Sequence, residues 1–280
     1  MHYYVGKYDA SRFAVPETYG GHSKGFERVS LVNRLTGSVH TEACMSRLQP
    51  GGSIHTCVHA YEKGIYVFEG EIELLLGGEH IRLPADGYAL IPYAAPHAIR
   101  NIGAQAARWF EILAPQPKPP GSFKDTFFTG GNAWSATGDA AVDEAPRKGI
   151  GQFNTENPIP AQDGALAQGL SVYRFMERQF GAQCFFMMRG EMAAGAFRTR
   201  HDHSVEEFYF GLSGEVIMEI EDQTFNLGAG DVAWTGVGTS HAFRQTGDEP
   251  FRWLETQTPQ FPARHGTRNY IAWEKLRNGR

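Results

Sequence analysis

A chain of 280 residues with 26 Lys+Arg against 31 Asp+Glu carries a formal net charge of −5 with no basic block, so nucleic acid is not an expected partner. Hydrophobic residues at 41% and charged residues at 20% fit an ordinary globular chain of one large or two ordinary domains. No stretch nears about 18 uninterrupted apolar residues, so no membrane span or membrane partner is expected.

The start, Met1-His2-Tyr3-Tyr4-Val5-Gly6-Lys7-Tyr8, has no apolar run after its charge and does not read as a signal peptide. Cys44, Cys57 and Cys184 are odd in number and scattered, which suits reduced thiols in a cytoplasmic protein. Residues 1–40 spread Tyr3, Tyr4, Phe13, Tyr19 and Phe26 among polar residues and read as an arm that covers a sheet edge. Short strands follow. Residues 43–50 run into a Gly51-Gly52 turn, 65–68 close at Glu69-Gly70, and 71–76 end at Gly77-Gly78, a hairpin signal. Residues 88–92 lead to Pro96-His97, and 108–113 end at Pro115. Residues 117–121 open a connection, in which 134–150 read as linker or surface loop with a short helix over 139–144. Strands resume at 170–175 and 184–188, and the C-terminal 269–277 read as a short helix.

The two halves align without a gap at a shift of 144 positions. His59 falls on His203, Glu62 on Glu206, Gly70-Glu71 on Gly214-Glu215, His97 on His241, Arg108-Trp109 on Arg252-Trp253 and Pro115-Gln116 on Pro259-Gln260. A repeat this long is a duplicated domain rather than a solenoid unit. The expected division is an arm (1–40), a first barrel (41–118), a linker (119–165), a second barrel (166–265) and a tail (266–280).

The chemistry concentrates in the second half. In a strand, His201 and His203 point to one face about 6.6 Å apart. Glu207 and His241 are candidates to complete a site for a metal held at about 2.0–2.2 Å. Three neutral imidazoles and one carboxylate suit one divalent transition ion per chain, Mn, Fe, Ni, Cu or Zn. The bland alternative is that these histidines are hydrogen-bonded core residues. Glu207 is also the candidate catalytic base. Strict alternation turns Thr199, Phe197, Tyr209, Phe243 and Gln245 inward as pocket residues, although Phe197 and Phe243 suit an ordinary core equally well. It turns Arg198, Arg200, Arg244, Asp202 and Glu206 outward or toward an interface. At the matching places the first half has Cys57, His59, Lys63 and His97. Lys63 puts a cation where the carboxylate stood. Cys57, His59 and His97 remain as a degenerate second site for a soft metal, with a scaffold role as the alternative.

The pattern Gly-x5-His-x-His-x3-Glu-x6-Gly over Gly195, His201, His203, Glu207 and Gly214 resembles the first motif of the cupin superfamily. The segment from Gly230 to His241 resembles the second, with Gly236 where the family usually has Pro. The resemblance implies an all-β fold of two tandem jelly-roll (double-stranded β-helix) barrels, a bicupin. Residues 86–92, 175–181 and Gly230-Asp231 through Gly236 are similar to the two-barrel ureidoglycine aminohydrolases and glyoxylate-induced proteins. That family carries Glu-x-His-x3-His and a later Gln, whereas the set here is closer to cupin dioxygenases of the quercetinase type. The resemblance implies a mononuclear metal enzyme that oxidises a small oxygen-rich substrate such as a chelating enol or hydroxy acid. Alternatives are a metal-dependent hydrolase or lyase of the ureidoglycine aminohydrolase type, and a non-enzymatic metabolite-binding or sensor protein. Open sheet edges imply a homodimer or higher homo-oligomer.

Overall fold

The computed structural model describes residues 2–130, 149–156, 158–160, 165–260 and 267–269. They form two sheets with the same strand order. In the first the order is Ile150–Gln152, Gly87–Ile91, Glu62–Glu69, Ala107–Ala114, Glu42–His59, His97–Asn101, Ile72–Leu76 and Glu79–Leu83. In the second it is Tyr3–Lys7, Asp231–Thr235, Glu206–Ser213, Phe251–Thr258, Phe186–His203, His241–Arg244, Val216–Ile220 and Gln223–Leu227. Ser23–Val32 and Ala167–Met176 add to the long strand of their own sheets. The duplication read from the sequence is thus a duplication of topology, two tandem all-β barrels. Among the described residues, no helix is long and apolar enough to cross a membrane.

Local chemistry explains the turns. Ile72–Leu76 and Glu79–Leu83 are joined by Gly77 and Gly78, both at positive φ (60° and 88°), the two-residue hairpin that matches strand twist. The turn expected at Gly51-Gly52 is not a chain reversal. Glu42–His59 runs through it as one 18-residue strand, bent where its register against Ser23–Val32 shifts and where Gly51 takes φ 65°. Phe186–His203 repeats the bend, with Gly195 at φ 74°. The helix expected over 139–144 lies outside the described residues. Of 269–277 only Asn269 is described, and it ends the strand Thr267–Asn269, which pairs along His201–His203.

Each barrel has its own apolar interior, Ile54, Ile65, Val67 and Ile99 in the first, Met192, Val216, Met218 and Trp253 in the second. A third cluster lies between them. Met45, Tyr66, Phe110 and Ile112 pack on Met187, Phe208, Trp234 and Leu254, and the Phe110 and Phe208 rings stack with centroids 5.1 Å apart. The halves also exchange strands. Tyr3–Lys7 pairs with Asp231–Thr235 of the second barrel, and Ile150–Gln152 pairs with Gly87–Ile91 of the first, so each covers an edge that would otherwise present unpaired backbone.

A reciprocal carboxylate clasp completes the interface. Glu206 accepts from Ser38 Oγ (2.6 Å) and the Val39 amide (2.7 Å) of the first half. Its counterpart Glu62 accepts from the amides of Gln183 (3.0 Å) and Cys184 (2.8 Å) of the second. Gln116 and Gln260 each tie down the loop so clasped, through the carbonyls of Ser38 and Thr41 and of Ala182 and Phe185. Glu206, expected outward or toward an interface, is buried between the barrels at 3% exposure.

Candidate metal centre

The end of Phe186–His203, the start of Glu206–Ser213 and the start of His241–Arg244 meet inside the second barrel. His201, His203 and His241 bring one ring nitrogen each to within 4.8 Å of one another. Glu207 closes the group, with Oε1 3.1 Å from His203 Nε2 and Oε2 3.0 Å from His241 Nε2. Two backbone carbonyls set the rings: His201 Nδ1 faces Thr199 O at 2.7 Å and His241 Nδ1 faces Thr239 O at 3.0 Å. An Nδ1–H so engaged leaves Nε2 as a lone-pair donor aimed inward.

The electrostatics agree with that donor set. Burial first, then the neighbouring imidazoles, hold His201 well below the usual histidine range, and burial likewise lowers His203. Burial pushes the Glu207 carboxyl up, but His203 and His241 outweigh it and bring it down to about 2. Neutral imidazoles and an ionised carboxylate, converging in a buried site, fit a divalent transition ion. Glu207 is also braced: Gln257 Nε2 donates at 2.6 Å, the Tyr209 hydroxyl at 2.8 Å and the Thr235 hydroxyl at 3.4 Å. These donors hold the carboxylate in place beside the histidine nitrogens.

The structure divides the five residues expected to line the pocket. Tyr209 and Phe243 stand beside the ligands, with ring centroids 5.3 Å apart and 6.2 and 5.7 Å from His241. Phe197 and Thr199 do not. The long strand carries one extra residue between Arg198 and His201, so that Arg198 pairs with Phe243, His201 with His241, and Phe197 with Arg244. Cross-strand partners share a face. The bulge therefore puts Phe197 on the face of Arg244 and brings Arg198 to the ligand side. Thr199 spends its hydroxyl on Leu166 O at 3.0 Å. Gln245 is a backbone clamp, its Oε1 accepting from the Gly195 amide (3.0 Å) and its Nε2 donating to Glu249 O (2.6 Å).

Four participants escaped the sequence reading, namely Arg198, Thr235, Gln257 and Glu255. Arg198 is half-buried and makes no ion pair among the described residues; burial lowers its pKa while Glu207 and Tyr209 raise it. Glu255 sits beneath the site, held by Trp253 Nε1 (2.8 Å) and Gln257 Nε2 (2.6 Å). Burial first, then the charge of Glu207, push it up to about 8. For three of them the signal lay in the repeat, which reads Ile54 for Arg198, Ile91 for Thr235 and Leu113 for Gln257, as it reads Ile65 for Tyr209; Glu255 has its counterpart in Glu111.

The first barrel assembles a different group. Cys57 Sγ lies 3.9 Å from His59 Nε2 and 3.6 Å from His97 Nε2. Lys63, where Glu207 stands in the other barrel, lies 3.8 Å from Glu111, which also pairs with Arg28. Burial raises the Cys57 thiol to about 11, while burial and Lys63 lower His59 and bring His97 to about 3.

Comparison with known proteins matches this fold. Residues 44–113 and 188–256 each match the cupin domain family. A protein from Streptomyces cyaneus named polyketide synthase CurC is 40% identical over 115 residues, covering 40% of this chain and 75% of that protein. Among solved structures, the oxalate decarboxylase of Lactobacillus farciminis in complex with formate superposes with a TM-score of 0.70 at 15% identity, over 97% of this chain and 90% of that one. A deletion mutant of the Bacillus subtilis oxalate decarboxylase gives 0.68 at 17%, over 97% and 80%. With one matched domain in each half and this topology in both, the chain belongs to the cupin family and is a bicupin.

Proposed function

We propose that this protein is a metal-dependent enzyme acting on a small, anionic, oxygen-rich organic substrate, by dioxygenase-type oxidation in its second barrel. The observation that carries the reading is the convergence of His201, His203, Glu207 and His241 in one buried site with Arg198 on the same side. Those four side chains would hold one divalent ion, which when bound supplies a Lewis-acidic, redox-capable centre. Arg198 Nη1 donates to Leu166 O at 3.2 Å, and the guanidinium makes no ion pair among the described residues, so its remaining N–H groups would meet a substrate carboxylate. Phe243 and Tyr209 line the approach as aromatic walls. Gln257 and Thr235 keep Glu207 oriented. Burial keeps the Tyr209 phenol protonated, so it presents a hydrogen-bond donor beside the ligands.

A lyase is the second reading, and Tyr209 favours it. Cleaving a carbon–carbon bond beside a carboxylate needs an anchor for the anion and a proton for the carbon left behind. Arg198 would anchor the anion, and the neutral phenol would supply the proton on leaving Glu207, to which it now donates. The proteins of similar fold are named oxalate decarboxylases, a name that suits the lyase reading rather than the oxidation.

Metal-free protein reloaded separately with Mn, Fe, Ni, Cu and Zn, and offered small enol, hydroxy and keto acids, tests the proposal through oxygen uptake and carbon dioxide release. Oxygen uptake with a redox-active form, weakened in Arg198→Ala through KM, is the expected result. Carbon dioxide release without oxygen uptake selects the lyase. No turnover with any metal form overturns the enzyme reading.

A further inference from the structure

We propose that Cys57, His59 and His97 form a second metal site, in the first barrel, that takes monovalent copper. This goes beyond the reaction centre above and uses none of its residues.

The geometry comes first. With about 2.3 Å to sulfur and about 2.05 Å to nitrogen, a three-coordinate ion places a thiolate and an imidazole nitrogen about 3.8 Å apart, and a tetrahedral one about 3.6 Å. Cys57 Sγ stands 3.6 Å from His97 Nε2 and 3.9 Å from His59 Nε2, which spans the trigonal value. The rings are already turned for binding. His59 Nδ1 is engaged by Thr126 Oγ1 at 3.1 Å and His97 Nδ1 by Ala95 O at 2.9 Å, so both Nε2 atoms face the sulfur. Tyr61 stacks on His59 with centroids 4.5 Å apart and fixes its plane.

Charge then selects the ion. Where the second barrel supplies Glu207, this one supplies Lys63. Lys63, Arg28 and Glu111 are all buried together, so the base of the barrel holds one net positive charge before any metal arrives. A divalent ion on one thiolate and two neutral imidazoles would add another. A monovalent ion replaces the thiol proton one for one and leaves the buried charge unchanged. The proton goes to solvent, and no electron is transferred. A soft thiolate with two imidazoles is also a donor set that favours copper. A cavity of about 1050 Å³ is lined by Tyr61 and Thr126, two of the residues that touch His59.

The test is an anaerobic titration of full-length His203→Ala, which disables the other barrel's site, with Cu(I) against a chromophoric chelator. One equivalent per chain is expected. Adding Cys57→Ser should weaken it at least 100-fold, and adding His97→Gln should do the same if the serine variant is misfolded by circular dichroism. Cys184→Ser, which removes the partly exposed thiol, should change nothing. X-ray absorption at the copper edge should show one sulfur and two nitrogens. Undiminished affinity in Cys57→Ser and His97→Gln, loss of copper in Cys184→Ser, or equal uptake of Zn(II) or Mn(II) by His203→Ala would each overturn the proposal.

Discussion

Glu207 and Lys63 occupy the same place in two copies of one barrel, and their neighbours differ to match. Around Glu207 stand Tyr209, Thr235 and Gln257, all donating to it; around Lys63 the same places hold Ile65, Ile91 and Leu113. Removing a partner that orients a metal ligand typically weakens metal binding about 10–100-fold. Gln257→Leu should fall in that range by competition titration, and Glu207→Gln should fall further, because it removes the negative charge itself. Glu206→Gln, one residue away but turned to the other barrel, should leave divalent affinity within a few-fold. Glu111 and Glu255 form a second matched pair. Arg28 and Lys63 hold Glu111 down against burial, whereas Glu255 rises to about 8. Between the ordinary value of 4.5 and about 8, native metal-free protein binds a proton at Glu255 that the unfolded chain has released. Its stability contribution is therefore full below 4.5 and lost as pH rises through about 8. The melting temperature in chelator should fall across that window, and Glu255→Gln should flatten the fall. The candidate ligands were legible in the sequence because i,i+2 spacing and the repeat both mark them. Alternation misplaced Arg198, because one inserted residue reverses parity; only Ile54 at its place in the repeat marks it.

At the scale of elements, bends and bulges inside two long strands decide what faces the site. The sequence marks them only as Gly51-Gly52 and Gly195, which read equally well as turns. Glycine permits the positive φ but does not say whether the chain then reverses. Only the pairing of Ser23–Val32 and Ala167–Met176 along those strands decides it. The alternation that turned Glu206 away from the metal was right, yet its destination is a clasp on the loop of the other half. Removing either clasp carboxylate strands part-buried amides, at about 1–3 kcal/mol. Glu206→Ala and Glu62→Ala should each lower unfolding free energy by that much in urea, with metal content unchanged for Glu206→Ala. A surface role for either residue predicts no measurable change.

The whole molecule is a pseudo-symmetric pair of barrels joined by a shared core, exchanged strands and reciprocal carboxylates. The repeat made the pairing legible; the exchange of Tyr3–Lys7 and Ile150–Gln152 was not, since neither short segment names its partner strand. Phe208 stacks on Phe110 across the interface, so Phe208→Ala should cost about 3–5 kcal/mol in one cooperative transition rather than loosen one barrel alone. Duplication let the halves diverge, and the account rests on the claim that only the second barrel is built for a divalent ion. Equilibrium titration of metal-free protein with Mn(II) or Zn(II), read as tight sites per chain in the wild type and in His203→Ala, tests that claim most directly. One site in the wild type and none in His203→Ala is the predicted result. Two divalent sites, or one that survives His203→Ala, would contradict it.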